Sequence, residues 1–365
     1  MRALVLGTGA SGKAAAAALS AEGWEVESAD GFDLVVASPG MRVVSELQLG
    51  VEALKRRGAK LLAVTGSKGK SSVVKLVADA LNASGCKAVP CGNYGLPASA
   101  VGDCEWAVVE VSSFQMETSN FQPRTFAAAA ILNLQDDHLD RHGSRELYHS
   151  LKKRLLEAAE LAVRAEDAKG AEGLFAGSWF DRGVLRRNAL AAVALMRAAG
   201  LGDDAIAKAF AAFEPLAHRL QNAGTHAGVA CIDDSKATSL AALAAGVEAV
   251  SDGAAGRKIR LIAGGRAKGD DPFSVKSLLT ERVEKVYLIG ECAEAFEKAW
   301  SGAVDCEVCG TLEKAVESAF ADAVEGDTLL LSPGTASFDQ FRNFGERGDV
   351  FAQTAAKEGK KKENE

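Results

Sequence analysis

The sequence predicts an α/β protein of three domains, each built on a parallel sheet covered by helices. Apolar strand segments such as "ALVLG", "LLAVTG" and "RKIRLIAGG" alternate along the chain with Ala-rich helical segments. The chain has 365 residues, 48% of them hydrophobic, which is enough for two or three separate cores. We expect domains at residues 1–60, 61–215 and 216–365, the last with a disordered, lysine-rich tail.

Charge and cysteine content argue against a nucleic-acid-binding protein and against a structural zinc site. The net charge of -7 argues against a nucleic-acid surface, because phosphate backbones are met by clustered Lys and Arg. Seven scattered cysteines contain one C-x-x-C, at "CEVC", and a structural zinc site needs four ligands. Reduced thiols are therefore expected.

The amino terminus does not resemble a secretion signal. In "MRALVLGTGASGK", glycines follow where a signal peptide would continue its apolar region. No apolar run approaches the roughly 20 residues that span a bilayer. The sequence thus predicts a cytoplasmic protein without membrane insertion.

The first domain contains a glycine-rich turn between a strand and a helix. The turn "GTGASG" follows "ALVLG", the strands "EVESAD" and "LVVASPG" come later, and Asp30 lies where a ribose-binding acid would sit. Glycines and a helix N-terminus suit any nucleotide diphosphate. An abbreviated Rossmann-like domain is predicted, and NAD and a UDP-sugar both remain open as its ligand.

The second domain carries a loop that resembles a phosphate cradle. In "AVTGSKGKSS", Lys70 lies where the β- and γ-phosphates of ATP need a positive charge, and Ser71 could hold Mg²⁺. The usual first glycine is replaced by Val64, but Gly66 and Gly69 could still direct backbone N–H groups at phosphate. A P-loop ATPase-like domain is predicted.

Acidic and basic residues follow later strands of this domain. Glu110 ends the apolar strand "WAVVEVS" and is a candidate Mg²⁺ ligand, because a buried strand-end acid needs a partner. "DDHLDRH" follows the next strand and includes His138. Lys152 lies in "SLKKRLLEAA", which by itself predicts a solvated helix face.

The third domain is predicted to be a doubly wound, Rossmann-like sheet. Polar residues follow its strands, where ligands gather in such sheets. The candidates at the start of the domain are Arg219 in "HRLQNAG" and Asp234, Lys236 and Thr238 in "IDDSKATS". The candidates in the segments after later strands are Lys268, Ser337 and Phe344.

Taken in order, these motifs resemble those of the Mur ligase family of peptidoglycan synthesis. The resemblance covers nearly the whole chain and rests on "GTGASG", "ASPGM", "TGSKGKSS", "GNYG", "EVSSFQME", "DDHLDRH", "DSKAT" and "LSPGTASFDQF". It implies an ATP-dependent ligase, and the last two motifs indicate the member that adds D-glutamate to UDP-N-acetylmuramoyl-L-alanine. ATP would phosphorylate a carboxylate, and the amine of the incoming amino acid would displace phosphate.

The resemblance also implies roles for single residues. Lys70 would hold the phosphates together with Gly66, Gly69 and Ser72, and Ser71 and Glu110 would bind one Mg²⁺. His138 would help bind a second metal ion, with Lys152 carbamylated by carbon dioxide.

The remaining implied roles concern adenine, ribose and the substrates. ATP would be contacted by Asn188, Arg219 and Asp234, and the UDP group by Gly9, Ser11 and Asp30. The muramoyl part would lie near Asn93. The D-glutamate would be surrounded by Lys236, Thr238, Lys268, Ser337 and Phe344.

Three alternatives stay open, and the chain departs from the family pattern by its shorter length, by Ser239 after "DSKAT" and at two further positions. The alternatives are a ligase for another amino acid, a non-catalytic nucleotide-binding relative and an NAD-dependent oxidoreductase. A monomer is expected. Leu185 stands where the family has an adenine-facing asparagine, and Lys68 occupies a loop position where asparagine is common.

Overall fold

The computed structural model describes residues 1–31, 43–135, 139–251, 259–267 and 269–363. The chain divides into two compact units, which comprise Met1–Asp181 with Leu185–Phe213 and Arg182–Val184 with Glu214–Glu365. Mostly parallel sheets in both units confirm the α/β class. The expected domain boundaries at residues 60 and 215 stay predictions.

The first unit carries the phosphate loop and the acids that follow its neighbouring strands. Its elements are β1 (Arg2–Leu6), α1 (Ala10–Ala21), β2 (Glu25–Ala29), α2 (Glu46–Arg56), β3 (Lys60–Thr65), α3 (Lys70–Ala83), β4 (Ala88–Gly92), β5 (Trp106–Glu110), α4 (Ser113–Thr118), β6 (Phe126–Ile131), α5 (Leu139–His142), α6 (Arg145–Glu157), β7 (Ala159–Val163), α7 (Leu185–Ala198) and α8 (Asp203–Ala211). β1 pairs with β2, and a second sheet has the order β4-β5-β3-β6-β7, all parallel. The strand expected at "LVVASPG" lies outside the described residues.

The sheet around β3 is buried on both faces. Leu61 and Ala63 of β3 pack with α2 and α6 through Val51 and Leu155. Leu62 and the other alternate residues of β3 point to the opposite face, because successive side chains of a strand alternate. A parallel sheet covered on both faces explains why its central strands β5, β3 and β6 read as continuous apolar runs.

The second unit is the doubly wound sheet expected from the sequence. Its elements are β8 (Gln221–His226), β9 (Val229–Asp233), α9 (Leu240–Ser251), β10 (Ile259–Gly264), α10 (Lys276–Arg282), β11 (Val283–Ile289), α11 (Ala293–Trp300), β12 (Asp305–Gly310), α12 (Leu312–Asp322), β13 (Thr328–Leu331) and α13 (Phe344–Glu363). The strand order is β12-β11-β10-β13-β9-β8, with only the β8–β9 pair antiparallel in the described part of the chain. Asp234, Lys236 and Thr238 therefore follow the carboxyl end of β9, and Ser337 and Phe344 follow that of β13, whereas Arg219 precedes β8.

Separate apolar clusters cover the two faces of this sheet. Leu261 and Ala263 of β10 pack with helices α9 to α11, including Trp300. The residue between them, Ile262, packs with α12 and α13, including Phe351. This alternation fixes which face of β10 each helical layer covers. The polar loop after the strand therefore begins from a defined position.

The carboxyl-terminal segment corrects one expectation. Where the sequence predicts a disordered tail, α13 continues to Glu363. Lys362 donates to the carbonyl oxygens of Phe320 and Ala323 at the end of α12, and Glu363 accepts from the N–H of Ala227. The Lys362 ammonium at the carboxyl end of α12 and the bond from Ala227 to Glu363 thus hold the last turn of α13, where apolar residues are lacking.

None of the described helices combines the length and the apolar character needed to cross a bilayer.

Candidate active site

The phosphate loop connects β3 to α3. Gly69 precedes α3 with φ +83°, and Gly66 has φ +151°, both in the region that glycine tolerates. Val64 is still part of β3 and is fully buried, so the loop turns two residues later than in the usual pattern. The absent glycine is therefore not needed for this turn.

Lys70 and Lys152 converge on this loop. The Lys70 Nζ donates to the carbonyl oxygens of Gly66 at 2.8 Å and Ser67 at 3.1 Å. The Lys152 Nζ donates to the same Gly66 oxygen at 2.9 Å. Two positive charges therefore lie together where phosphate groups are expected.

Lys152 is buried, so the expected solvated helix face is wrong at this position. Its Nζ lies 4.5 Å from the centroid of the Tyr148 ring, and the Tyr148 hydroxyl is 2.9 Å from the Ser67 Oγ. The next residue, Lys153, is exposed as expected. The α-helical period turns one lysine of the pair inward beneath the loop and the other outward.

Two buried asparagines hold the loop in place, and no sequence motif indicates the first of them. Asn133 accepts from the Lys68 N–H at 2.9 Å and donates to the Lys68 carbonyl at 2.8 Å. Its Nδ2 also donates to the Asn188 Oδ1 at 3.0 Å. A Cβ on Gly69 would lie 2.1 Å from the Asn188 Nδ2. Asn188 thus lies against the loop.

Glu110 is a buried carboxylate at the end of β5, next to the loop's own strand. Its Oε1 accepts from the Asn93 Nδ2 at 2.8 Å, and its Oε2 has no hydrogen-bond partner among the described residues. Ser71 lies in the first turn of α3 and is buried. An unsatisfied buried carboxylate oxygen and a serine hydroxyl are oxygen donors of the kind that Mg²⁺ prefers.

The glycine-rich turn after β1 is closely packed. A Cβ on Gly12 would lie 1.8 Å from the Gly7 carbonyl oxygen. Asp30, at the end of β2, accepts from the Thr8 hydroxyl at 2.6 Å and from the Gly31 N–H, and these bonds hold its pKa below the usual value. Gly9 caps α1 and Ser11 lies in its first turn. The structure therefore brings this expected group together.

In the second unit, Asp234 is buried after β9. It accepts from the Ser332 hydroxyl at 3.0 Å and from the Leu220 N–H, and burial raises its pKa to about 7. Arg219, whose charge opposes that rise, lies between two residues with positive φ, His218 at 59° and Leu220 at 46°. Such backbone conformations are costly outside glycine and cluster at functional sites.

The residues expected around the amino acid are partly brought together. The Lys236 Nζ lies 4.1 Å from the centroid of the Phe344 ring. Thr238 lies in the loop before α9, and Ser337 is buried in the loop after β13. His138 and Lys268 lie outside the described residues.

The cysteines of "CEVC" lie in β12. Burial raises the pKa of Cys306 and Cys309 to about 11 each, so both are thiols at neutral pH rather than thiolates.

Comparison with known families matches both halves of the chain. Residues 64–173 match the Mur ligase middle domain. Residues 218–334 match the glutamate ligase domain of the Mur ligases. The first match spans the phosphate loop, Glu110 and Lys152, and the second spans Arg219 to the loop after β13.

Several curated relatives carry the same name, UDP-N-acetylmuramoylalanine--D-glutamate ligase. The protein of Nitratidesulfovibrio vulgaris is 36% identical over 343 residues, which cover 86% of this chain and 76% of the relative. The protein of Acidobacterium capsulatum is 34% identical and is covered to 81%. The protein of Chlamydia caviae is 30% identical, with 96% of this chain and 97% of the relative covered.

Solved structures share the fold at lower sequence identity. MurF ligase from Thermotoga maritima in complex with ADP has a TM-score of 0.63 and 17% identity, and covers 94% of this chain and 91% of its own. MurC from the same organism has a TM-score of 0.61 and 15% identity, with 96% and 98% covered.

Proposed function

The chain belongs to the Mur ligase family, and from that premise we propose that it joins D-glutamate to UDP-N-acetylmuramoyl-L-alanine at the expense of ATP. The observation that carries the proposal is the convergence of Lys70 and the buried Lys152 on the Gly66 carbonyl. A loop that only turned the chain would not need two lysines beneath it, one of them fully buried.

The reaction breaks one phosphoryl bond and forms one amide bond. The γ-phosphoryl group of ATP moves to the carboxylate of the alanyl substrate, which releases ADP and leaves an acyl phosphate. The amine of D-glutamate then attacks the acyl carbon, loses a proton, and phosphate leaves.

The phosphate loop meets the main electrostatic requirement of the first step. A phosphoryl group that moves onto a carboxylate brings several negative charges together, and fixed positive charges offset them. Lys70 would lead this role, and the N–H groups of Gly69, Ser71 and Ser72 at the start of α3 would bind the phosphates. The helix dipole adds to the same field.

Mg²⁺ fits the donors that are present. Ser71 and Glu110 would hold it, and the bound ion would neutralise phosphate charge. Asn93 orients the Glu110 carboxylate by donating to Oε1, so that Oε2 stays available. Carbamylation of Lys152 would replace an ammonium by a carboxylate beside the loop, and His138 is proposed as a further metal ligand.

The proposal assigns the remaining candidates to the substrates. Arg219, Asp234 and Asn188 contact ATP, and the turn with Gly9, Ser11 and Asp30 takes the UDP group. Lys236, Thr238, Lys268, Ser337 and Phe344 take D-glutamate. A cytoplasmic location and a monomeric state stay predictions.

Phosphate release tests the proposal directly. Purified protein with ATP and Mg²⁺ should release phosphate only when UDP-N-acetylmuramoyl-L-alanine and D-glutamate are both present. A panel of other amino acids is the control. Release with a different amino acid would contradict the D-glutamate assignment, and no release with any of them would favour a non-catalytic nucleotide-binding protein.

A further inference from the structure

Arg347 joins two loops of the second unit, residues 234–239 after β9 and residues 332–343 after β13. It lies in the first turn of α13 and is almost completely buried. Its Nε donates to the Ser235 Oγ at 2.9 Å, and its Nη2 donates to the carbonyl oxygens of Ser235 at 2.8 Å and Thr335 at 3.2 Å. One guanidinium therefore holds both loops through their backbones.

The connection extends to residues assigned to the amino acid. The Ser235 Oγ donates to the Phe344 carbonyl at 2.8 Å. Lys236, the next residue, has its Nζ against the Phe344 ring. Ser337 lies two residues beyond Thr335. A shift of the guanidinium would therefore displace Lys236, Phe344 and Ser337 relative to one another.

The guanidinium is not an obvious contribution to stability. Its Nη1 and the hydroxyl of Thr335 are buried without a hydrogen-bond partner among the described residues. Burial lowers the pKa of Arg347 to about 10, despite the opposing charges of Asp339 and Asp233. An apolar side chain of similar volume often replaces a buried charge without loss of stability. The hydrogen bonds of the guanidinium are thus better explained by the positioning of the two loops than by a gain in stability.

We propose that Arg347 is a positioning residue that sets the affinity for the incoming amino acid by holding these two loops in register. The inference rests on the proposed function, because it takes the amino-acid site to lie at these loops. Lysine cannot reproduce the role, since it lacks the planar fork that reaches Ser235 and Thr335 together.

Steady-state kinetics separates positioning from a general structural role. Arg347→Met should raise the KM for D-glutamate about 10-fold or more, because small displacements of binding groups are costly, and leave the KM for ATP within about twofold. Arg347→Lys should give a KM for D-glutamate between those of the wild-type protein and R347M. If R347M leaves every KM unchanged and only lowers Tm, the inference is wrong.

Arg260 provides a matched control. It is a buried arginine of the same unit near the start of β10, at the opposite end of the strand from the loops, and it pairs with Asp327 at 2.8 Å. Arg260→Met should lower Tm without changing the KM for D-glutamate relative to the KM for ATP. If R347M does not fold, Ser235→Ala tests the same connection, because it removes an acceptor of Arg347 and the donor to Phe344.

Hydrogen exchange tests the positioning without any substrate. In R347M or S235A, backbone amides of residues 234–239 and 332–343 should exchange faster than in R260M. Unchanged exchange in both loops would overturn the inference, whichever amino acid the protein uses. A wild-type protein that releases no phosphate would contradict the proposed function alone, and the exchange result would still decide the role of Arg347.

Discussion

Lys70 and Lys152, 82 positions apart in the chain, donate to one and the same oxygen, the carbonyl of Gly66. The first lysine belongs to the loop's own helix and the second to α6, which packs on the other side of the sheet from α3. The loop is thus held from two directions, and each lysine allows a separate experiment.

Lys152→Ala should lower kcat at least about 100-fold, because it removes a buried charged group at the proposed site of phosphoryl transfer. A small added carboxylate such as formate should restore part of the activity if a carbamate is the active form. The measurement is phosphate release with and without the added acid. Lys153→Ala, at the exposed neighbour, is the control and should retain wild-type activity. Full activity of K152A would refute the assignment.

Glu110→Gln should separate activity from stability. The amide retains an oxygen that can accept from Asn93, and it removes a buried negative charge, so Tm without Mg²⁺ should stay equal or rise. Phosphate release should fall about 100-fold, and the Mg²⁺ concentration for half-maximal activity should increase. A loss of Tm without a change in Mg²⁺ requirement would show a structural role instead.

Gly69→Ala should weaken ATP binding and stability together. The position has φ +83°, and the new Cβ would lie 2.1 Å from the Asn188 Nδ2. The expected loss of unfolding free energy is about 1–3 kcal/mol, and the KM for ATP should rise while the KM for D-glutamate does not.

The double variant Gly69→Ala with Asn188→Ala separates the two causes. It removes the steric conflict but keeps the backbone strain. In a double-mutant cycle it should therefore recover only part of the unfolding free energy that Gly69→Ala loses. Simple additivity of the two single variants would contradict the contact.

Asp234 should make stability depend on pH. Its pKa is about 7 in the folded protein against an ordinary value of 3.8, so the folded state holds the proton more tightly. Stability from this group is therefore complete below about pH 4, falls as pH rises towards 7, and is constant above that.

Asp234→Asn should remove this pH dependence. Relative to wild type, the Tm of the variant should rise between about pH 4 and 7 and then level off, because over that range the folded wild type keeps a proton that the unfolded chain loses. Thermal unfolding at several pH values without nucleotide measures the difference. Parallel Tm curves for the two proteins would contradict the raised pKa.

Much of the architecture could be predicted from local patterns. The apolar runs of β3, β5, β10 and β13, and the glycine-bounded loop after β3, are visible within short segments of sequence. The strands β7 and β8 and the helix α2 were not anticipated. β7 and β8 have mostly exposed or half-buried residues, because each lies at an edge of its sheet, so neither reads as a continuous apolar run.

By itself, the sequence determined the order of strand, loop and helix and the kinds of residue at the carboxyl ends of the strands, because periodicity and turn chemistry act over a few residues. Only the tertiary structure decided which distant groups meet. Lys152 reaches Gly66 across 86 positions, Asn133 reaches Lys68 across 65, and Arg347 reaches Ser235 across 112. Such contacts follow from the packing of helices on a sheet, which fixes side-chain directions that no local pattern contains.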